Sequence, residues 1–293
     1  MKIILNLLIL VTMSFIILNC SEYETFNDIT QIKSLEILGI QADKPDAYVN
    51  QLIKTKMLVA EPINYSKEYH KIWLLCDPQN HGETETGLIA CMSSDINKYI
   101  EIISSNIDTF SFKINKTSLE NYNLKAKYIY VIGGICEAKL DKCKNELKNI
   151  SKETLFGKNS VFKISFKRIR IISDEYSISN TNPVIKDIFV DGKNIGQNNN
   201  LTLSDKPEHS LRAVLDENSF YGSIGDKEFM KISWKTNFGK FSRYETVQFY
   251  SNNDIENVNL IPDNNFKNIS GKQLYIVATN LRGGITWKVI NID

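Results

Sequence analysis

The chain has 293 residues, with 35 Lys and Arg against 34 Asp and Glu and a hydrophobic share of 42%. That length and apolar content suffice for two folded domains. The balanced charge excludes both the basic stripe by which a nucleic-acid binder displaces phosphate counterions and a polybasic membrane patch.

The first twenty residues are the most informative. Met1-Lys2 precedes an apolar run from Ile3 to Leu18, broken only by Asn6, Thr12 and Ser14 and closed by Asn19-Cys20-Ser21-Glu22. A short basic start, an apolar core and a polar flank are what an export signal presents. The run is shorter than the roughly 20 residues that a spanning helix needs. Cys20 at that flank resembles the lipobox cysteine of bacterial lipoproteins, with Asn19 standing where that family has Gly, Ala or Ser. The resemblance implies a signal peptide over residues 1–19, acylation of Cys20 with palmitate-type chains, and membrane attachment through that lipid. Of the 35 basic residues only Lys2 lies in the segment removed, which leaves 34 cations against 34 anions. Attachment then rests on the acyl chains, each buried methylene adding roughly 0.8 kcal/mol. By resemblance to lipoprotein sorting, Ser21 fits the outer membrane of a Gram-negative cell, with the protein on its periplasmic face or on the cell surface.

Residues 20–33 are polar and without period, as a lipidated tether would be. Strand signals follow. Thr109 to Asn115 alternates with Phe110, Phe112 and Ile114 on one face. Val161 to Lys167 does so with Phe162, Ile164 and Phe166, and the shift of apolar phase to Ile169 and Ile171 predicts a bulge or bend where the strand changes what it covers. Met57 to Ala60, Ile72 to Leu75 and Tyr128 to Ile132 read as central strands covered on both faces. Ser94-Asp95 followed by Ile96, Tyr99, Ile100 and Ile103 predicts a short helix, and Lys144 to Thr154 a second.

The polar stretch Ser173 to Pro183 marks a boundary. Beyond it Val184 to Val190 leads to a turn at Asp191-Gly192. Leu211 to Leu215, Phe229 to Lys235 and Leu274 to Thr279 follow as strands, and a turn at Asn280 to Gly284 precedes Ile285 to Val289. Trp234 and Trp287 are expected to face the core of this second unit. Too few helices separate the strands for a parallel α/β sheet.

Ser34 to Pro62 (SLEILGIQADKPDAYVNQLIKTKMLVAEP) and the tail LYIVATNLRGGITWKVIN are similar to bacterial lipoproteins with tandem immunoglobulin-like, PKD-like domains. The resemblance, extended by Asn182-Pro183-Val184 and by Cys136 to Cys143, implies a fold and an address but no reaction. The expected fold is mainly β: two tandem immunoglobulin-like antiparallel sandwiches over residues 34–178 and 179–293, the first decorated with one or two short helices.

Apart from Cys20, four cysteines remain in a chain read as exported, and they allow three pairings. The sequentially local solution, Cys76 with Cys91 and Cys136 with Cys143, is the expected one. It closes rings that add roughly 3 and 2.5 kcal/mol. Spacings of 14 and 6 intervening residues do not suit zinc. His81 beside Glu83 is a conceivable general base, but no Gly-x-Ser-x-Gly elbow or His-Glu-x-x-His motif accompanies it. His209 reads as part of a turn. Asp216, Glu217, Asn218 and Asp226 lack EF-hand spacing and read as solvated turn rather than calcium ligands. Gly133-Gly134 and Gly283-Gly284 lack the Gly-Lys-Ser/Thr of a phosphate loop and read as turns or bulges. Tyr244, Phe249 and Tyr250 are the surface aromatics best placed to meet a partner.

The expected function is therefore that of a lipid-anchored envelope protein, a non-catalytic binding, adhesion or structural module without metal or cofactor. Its partner would be an envelope protein or polysaccharide. A solute-binding lipoprotein of a transport system and a secreted hydrolase are the alternatives.

Overall fold

Runs rich in Ile, Val, Phe and Thr bounded by Gly, Pro and Asn fold as strands, and eighteen are present among the described residues. The computed structural model describes residues 29–76, 100–105, 108–113, 126–148, 151–172, 180–196, 198–220, 229–249, 255–264, 266 and 270–293.

In the first sandwich, β1 (Glu36–Ala42), β3 (Leu52–Ala60) and β6 (Thr109–Lys113) form one antiparallel sheet in the order β1-β3-β6. The opposing sheet comprises β2 (Asp46–Tyr48), β4 (His70–Cys76), β5 (Ile100–Ser105), β7 (Ala126–Cys136) and β8 (Phe162–Ile172), in the order β2-β8-β7-β4-β5. Pro45 falls where the chain leaves β1 and crosses to β2. A residue without an N–H ends one ladder there and permits the change of sheet.

The second sandwich repeats the plan. One sheet has β10 (Lys193–Asn194), β9 (Ile185–Val190), β12 (His209–Leu215), β16 (Val258–Pro262) and β14 (Gly239–Phe241), in that order. The other has β11 (Asn200–Leu201), β18 (Ile285–Ile292), β17 (Lys272–Asn280), β13 (Phe229–Thr236) and β15 (Glu245–Phe249). The pairings β1·β3, β3·β6, β4·β7, β4·β5, β7·β8 and parallel β2·β8 recur as β9·β12, β12·β16, β13·β17, β13·β15, β17·β18 and parallel β11·β18. Two antiparallel sheets with the N-terminal segment divided between them constitute the immunoglobulin-type arrangement. The fold is thus mainly β, as expected. Asp191 and Gly192 have φ of 50° and 79°, the left-handed pair that a tight hairpin requires. They turn β9 into β10.

Three expectations about local structure need correction. Ile100–Ser105 is strand β5, not the end of a helix; pairing with β4 overrides its helical spacing. Strand β8 has no bulge, because its register with β7 is unbroken from Phe162 to Ile172. The phase change instead marks a change of face. Phe162 and Ile164 point away from the inter-sheet core toward α1 (Leu140–Lys148) and α2 (Lys152–Phe156), while Ile169 and Ile171 point into it. Gly133 and Gly134 lie inside β7, not in a turn. A Cβ on Gly133 would stand 2.6 Å from Met57 Cε, and one on Gly134 2.6 Å from Ile72 Cγ1. Their bareness lets neighbours on both faces of the strand approach.

The helical segment around 144–154 is present as α1 and α2, which cover one end of the outer face of the β2-β8-β7-β4-β5 sheet. Cys143 and Leu147, one turn apart on α1, join Leu155, Ile72, Leu74, Tyr130 and Phe162 there. Ser151 caps α2 by accepting the Thr154 N–H at 3.1 Å. Among the described residues no helix is long and apolar enough to cross a membrane.

Trp73 and Trp234 are both fully buried, one in each inter-sheet core. Trp234 donates its Nε1–H to Thr246 Oγ1 at 3.0 Å, which satisfies its one polar atom. Trp287 departs from expectation. It shares a face with Ile285 and Val289, but that face lies outside the second core, which takes Ile290 and Ile292 instead. In denaturant unfolding of the full chain, Trp234→Ala is expected to cost about 3–5 kcal/mol, and Trp287→Ala less. Equal losses would place both rings in one kind of environment.

Candidate functional site at the junction of the two sandwiches

The outward face of β17 and β18 is apolar, a pattern that a solvent-facing sheet surface does not favour. Tyr275, Val277, Ile285, Trp287 and Val289 on that face meet Ile32, Leu38, Leu58 and Ala60 from the first sandwich and the segment before it. Gly39 makes room for this contact, since a Cβ there would lie 2.5 Å from Ile285 Cδ1. Lys56 Nζ sits 4.8 Å from the centre of the Trp287 ring, and Lys235 pairs with Glu36 across the junction at 2.5 Å. A continuous apolar contact of this kind opposes the relative motion that sandwiches joined only by a linker would have.

Each end of the contact is closed by polar bonds. At one end, Asn237 donates to the Glu61 carbonyl at 3.1 Å and to the Gly271 carbonyl at 3.0 Å. Nearby, Ile32 N–H bonds Thr236 O at 2.7 Å and the Phe241 N–H bonds Thr30 Oγ1 at 2.9 Å. The expected tether over 20–33 is therefore not a free spacer at its end: Thr30 and Ile32 are buried against the second sandwich. Residues 20–28 lie outside the described residues.

The other end is built on the β17–β18 hairpin. Asn280 donates to Asn180 Oδ1 at 2.8 Å and to the Thr181 carbonyl at 3.0 Å, while its own Oδ1 accepts the Gly284 N–H at 2.6 Å. Gly283 has φ of 90°, a turn geometry that favours glycine. Asn182 bonds the Ala42 carbonyl at 2.6 Å and the Ile285 N–H at 3.0 Å, and Gln41 reaches the Ile285 carbonyl at 2.6 Å. Asp46 accepts the Asn180 N–H at 3.0 Å. Lys167 donates to the Gly283 carbonyl. Burial, with Arg168 beside it, lowers the Lys167 ammonium to about 8, with Asp46 acting in the opposite sense.

Beside this latch lies a cavity of about 280 Å³ bounded by Asp46, Tyr128, Arg168, Arg170, Leu281 and Arg282. Strand alternation puts Arg168 and Arg170 on the same face of β8, beyond the end that α1 and α2 cover. Tyr128 and Asp46 stand opposite Arg170 on the two neighbouring strands. Arg168 lies over the Tyr128 ring at 4.7 Å. The hairpin tip of the second sandwich supplies Leu281 and Arg282. None of these residues was singled out by sequence motif; Arg168 and Arg170, which continue as charges the strand face that is apolar at Phe162, Ile164 and Phe166, were the available signal.

The residues singled out from sequence do not converge on one site. Cys20, His81, Cys91, Asp226 and Tyr250 lie outside the described residues. Cys136 is bonded to Cys143, with Cα atoms 6.2 Å apart, tying the end of β7 to α1. Cys76, buried at the end of β4, is disulfide-bonded. His70 is buried at the start of β4. His209 is not a turn residue but the first residue of β12, fully buried, with Nδ1 2.9 Å from Asp191 Oδ2. Burial tends to raise the Asp191 carboxyl, but His209, the Ser210 N–H and Lys206 outweigh it and bring it down to about 2. Asp216 caps the short turn at Glu217–Ser219, accepting the Asn218 N–H at 2.8 Å. Among the described residues no group of three metal-ligating side chains is assembled. Tyr244 and Phe249 are exposed.

No family model matches the chain, and no curated protein matches it. Among solved structures it is similar to three N-terminal domains of the bacteriophage RB49 highly immunogenic outer capsid protein, at 8% identity and a TM-score of 0.24 over 88% of this chain and 59% of that one. It is similar to the chicken CNTN1 FN1–FN3 domains at 9% identity and a TM-score of 0.23, over 88% and 65%. For the Yersinia pseudotuberculosis adhesin InvE the values are 9% and 0.22, over 87% and 58%. The chain thus spans less than two thirds of each of these structures. Strand order and pairing alone define the sandwich fold.

Two expected outcomes test the junction. Asn280→Ala removes the donor to Asn180 Oδ1 and the acceptor of the Gly284 N–H, and should cost about 1–3 kcal/mol, with faster hydrogen exchange at Gly284 and Ile285. Unchanged exchange there would deny Asn280 its role. The second concerns pH. Below about 8 Lys167 is protonated folded and unfolded, and the cost of burying its charge is fully present. Between about 8 and 10.5 the folded state releases a proton that the unfolded state keeps, so stability rises with pH across that window. Melting temperatures from about pH 7 to about pH 10 should show this rise in the wild type and lose it in Lys167→Met.

Proposed function

We propose that the protein is a lipid-anchored, extracytoplasmic module of the cell envelope that binds or supports a partner without catalysing a reaction. The carrying observation is the junction: two sandwiches of like strand order are fastened by an apolar contact with polar bonds at both ends. This construction suits a body that presents a fixed surface at a set distance from its attachment point. The Met1 to Glu22 pattern supports attachment through Cys20, with residues 1–19 removed. Because Thr30 and Ile32 are docked on the second sandwich, the span from Cys20 to that contact sets the reach from the membrane. Over the ten residue steps from Cys20 to Thr30 that reach is at most roughly 33–36 Å. The exposed rings of Tyr244 and Phe249 and the junction cavity are the surfaces offered to an envelope protein or polysaccharide.

Intact-mass measurement of the membrane-extracted protein checks the anchor. A chain beginning at Cys20 and carrying acyl mass is expected, together with release to the soluble fraction in Cys20→Ser. An unmodified thiol on a full-length chain would refute it. Non-reducing peptide mapping of the same material should join Cys76 to Cys91.

A further inference from the structure

We propose that the junction cavity binds a small ligand through an oxyanion, a carboxylate or a phosphate, held by the guanidinium groups of Arg168 and Arg170, with Arg282 closing the site from the second sandwich. The inference deepens the binding-module reading and rests on it.

Charge is the first argument. Among the described residues, the cavity wall carries three guanidinium groups and one carboxylate, in a chain whose formal net charge is only +1. The carboxylate among these described residues, Asp46, is already engaged. Asp46 accepts the Asn180 N–H at 3.0 Å as part of the latch, and it stands 3.9 Å from the nearest Arg170 nitrogen, beyond hydrogen-bond distance. It orients Arg170 without saturating its donors.

Preorganisation is the second. Successive same-face residues on a strand are about 6.5–7 Å apart, so the side chains of Arg168 and Arg170 can converge on one anion. A guanidinium group presents a rigid planar fork that matches the two oxygens of a carboxylate or phosphate. Arg168 is already seated on the Tyr128 ring, which lowers the rotamer entropy lost when a ligand orders it. Arg170 is flanked in register by Tyr128 on one side and Asp46 on the other.

Shape is the third. The walls come from two sandwiches whose relative position the latch fixes, so the basic groups line a concavity rather than a flat surface. About 280 Å³ is near the lower end of ligand pockets, roughly 300–1,000 Å³. That admits a single acidic sugar or a comparable anion. Because Arg168 and Arg282 remain exposed, the anion can also be the end group of a longer polymer.

The test titrates detergent-extracted full-length protein calorimetrically with galacturonate, glucose 6-phosphate, and the neutral controls galactose and glucose. Saturable heat is expected for at least one anion, with neither neutral sugar bound. The preferred anion identifies the source as carboxylate or phosphate. Arg168→Gln and Arg170→Gln should each weaken binding about tenfold or more, and added salt should weaken it further because the site is open to solvent. Arg243→Gln, which breaks an exposed pair with Glu256 elsewhere on the second sandwich, should change nothing. Melting curves of every variant separate loss of binding from loss of fold, and Arg282→Gln supplies a variant outside the β8 strand. The proposal is overturned by the absence of saturable heat with both anions, by neutral sugars binding as tightly, or by binding that the Arg168 and Arg170 variants leave unchanged. Wild-type protein that refuses both anions yet still engages an envelope partner would sink this inference alone. Turnover of a bound anion would sink the non-catalytic reading instead.

Discussion

The β17–β18 hairpin is the element on which both halves of the molecule depend, because it is covered on two sides at once. Leu274, Ile276, Ala278, Ile290 and Ile292 fill the second core, while Tyr275, Val277, Ile285, Trp287 and Val289 bury the opposite face against the first sandwich. A one-residue slip in its register would exchange these two sets. The long ladder from Lys272↔Ile292 to Thr279↔Ile285 prevents that. Its tip then closes the latch through Asn280, Gly283 and Gly284, and contributes Leu281 and Arg282 to the cavity. Core packing, inter-sandwich geometry and the basic site are consequences of one pairing.

The latch combines polar groups that would be costly to bury singly. Asn180, Asn182, Asn280 and Asp46 spend most of their donors and acceptors on one another or on main-chain groups, so little buried polarity is left unpaired. Lys167 is the exception in kind, a charged amine inside the network whose affinity for its proton is lowered by burial. Its retention fixes position at some cost in stability: the ammonium finds a carbonyl acceptor at Gly283 only when the two sandwiches are in place. Directional bonds of this type select one arrangement of the contact, whereas the apolar patch alone would tolerate several.

Much of the fold was legible in period-two patterns. Phe110 and Phe112, Leu211 to Leu215, and Met230, Ile232 and Trp234 all face inward as their alternation requires. Apart from the helix expected up to Ile103, where pairing with β4 overrides local spacing, the failures share a cause: alternation identifies a face but not what covers it. Trp287 was assigned to a core when its face is buried by another sandwich. The phase shift along β8 does mark where the strand changes what it covers, helices over one end of its outer face and the sheet core at the other, but without a bulge. Gly133 and Gly134 looked like a turn because the sequence does not reveal that Met57 and Ile72 press on that strand from its two sides. Beyond the paired charges Arg168 and Arg170, the candidate site was hidden for a related reason: Asp46, Tyr128, Arg168 and Arg282 are distant in sequence and meet only through pairing and docking.

The two sandwiches share six strand pairings yet use their outer faces differently, and this difference explains where a site can lie. The outer faces of β1 and β3 and those of β17 and β18 cover each other. The outer face of the β9 and β12 sheet is partly occupied by its own side chains, with Arg212 laid over the Phe189 ring at 4.5 Å. On the β2-β8-β7-β4-β5 sheet, α1, α2 and the Cys136–Cys143 bond occupy one end, where β8 presents Phe162, Ile164 and Phe166. Past that cover the same face of the same strand presents Arg168 and Arg170. A strand that must bury its outer face at one end and leave it open at the other is expected to change from apolar to charged where the cover stops. Solvation alone would be met by any polar residue. Two guanidinium groups, an aromatic ring under one of them, and a third guanidinium brought from the other sandwich go beyond that requirement, and they converge at the place where the two sandwiches are held in fixed relation.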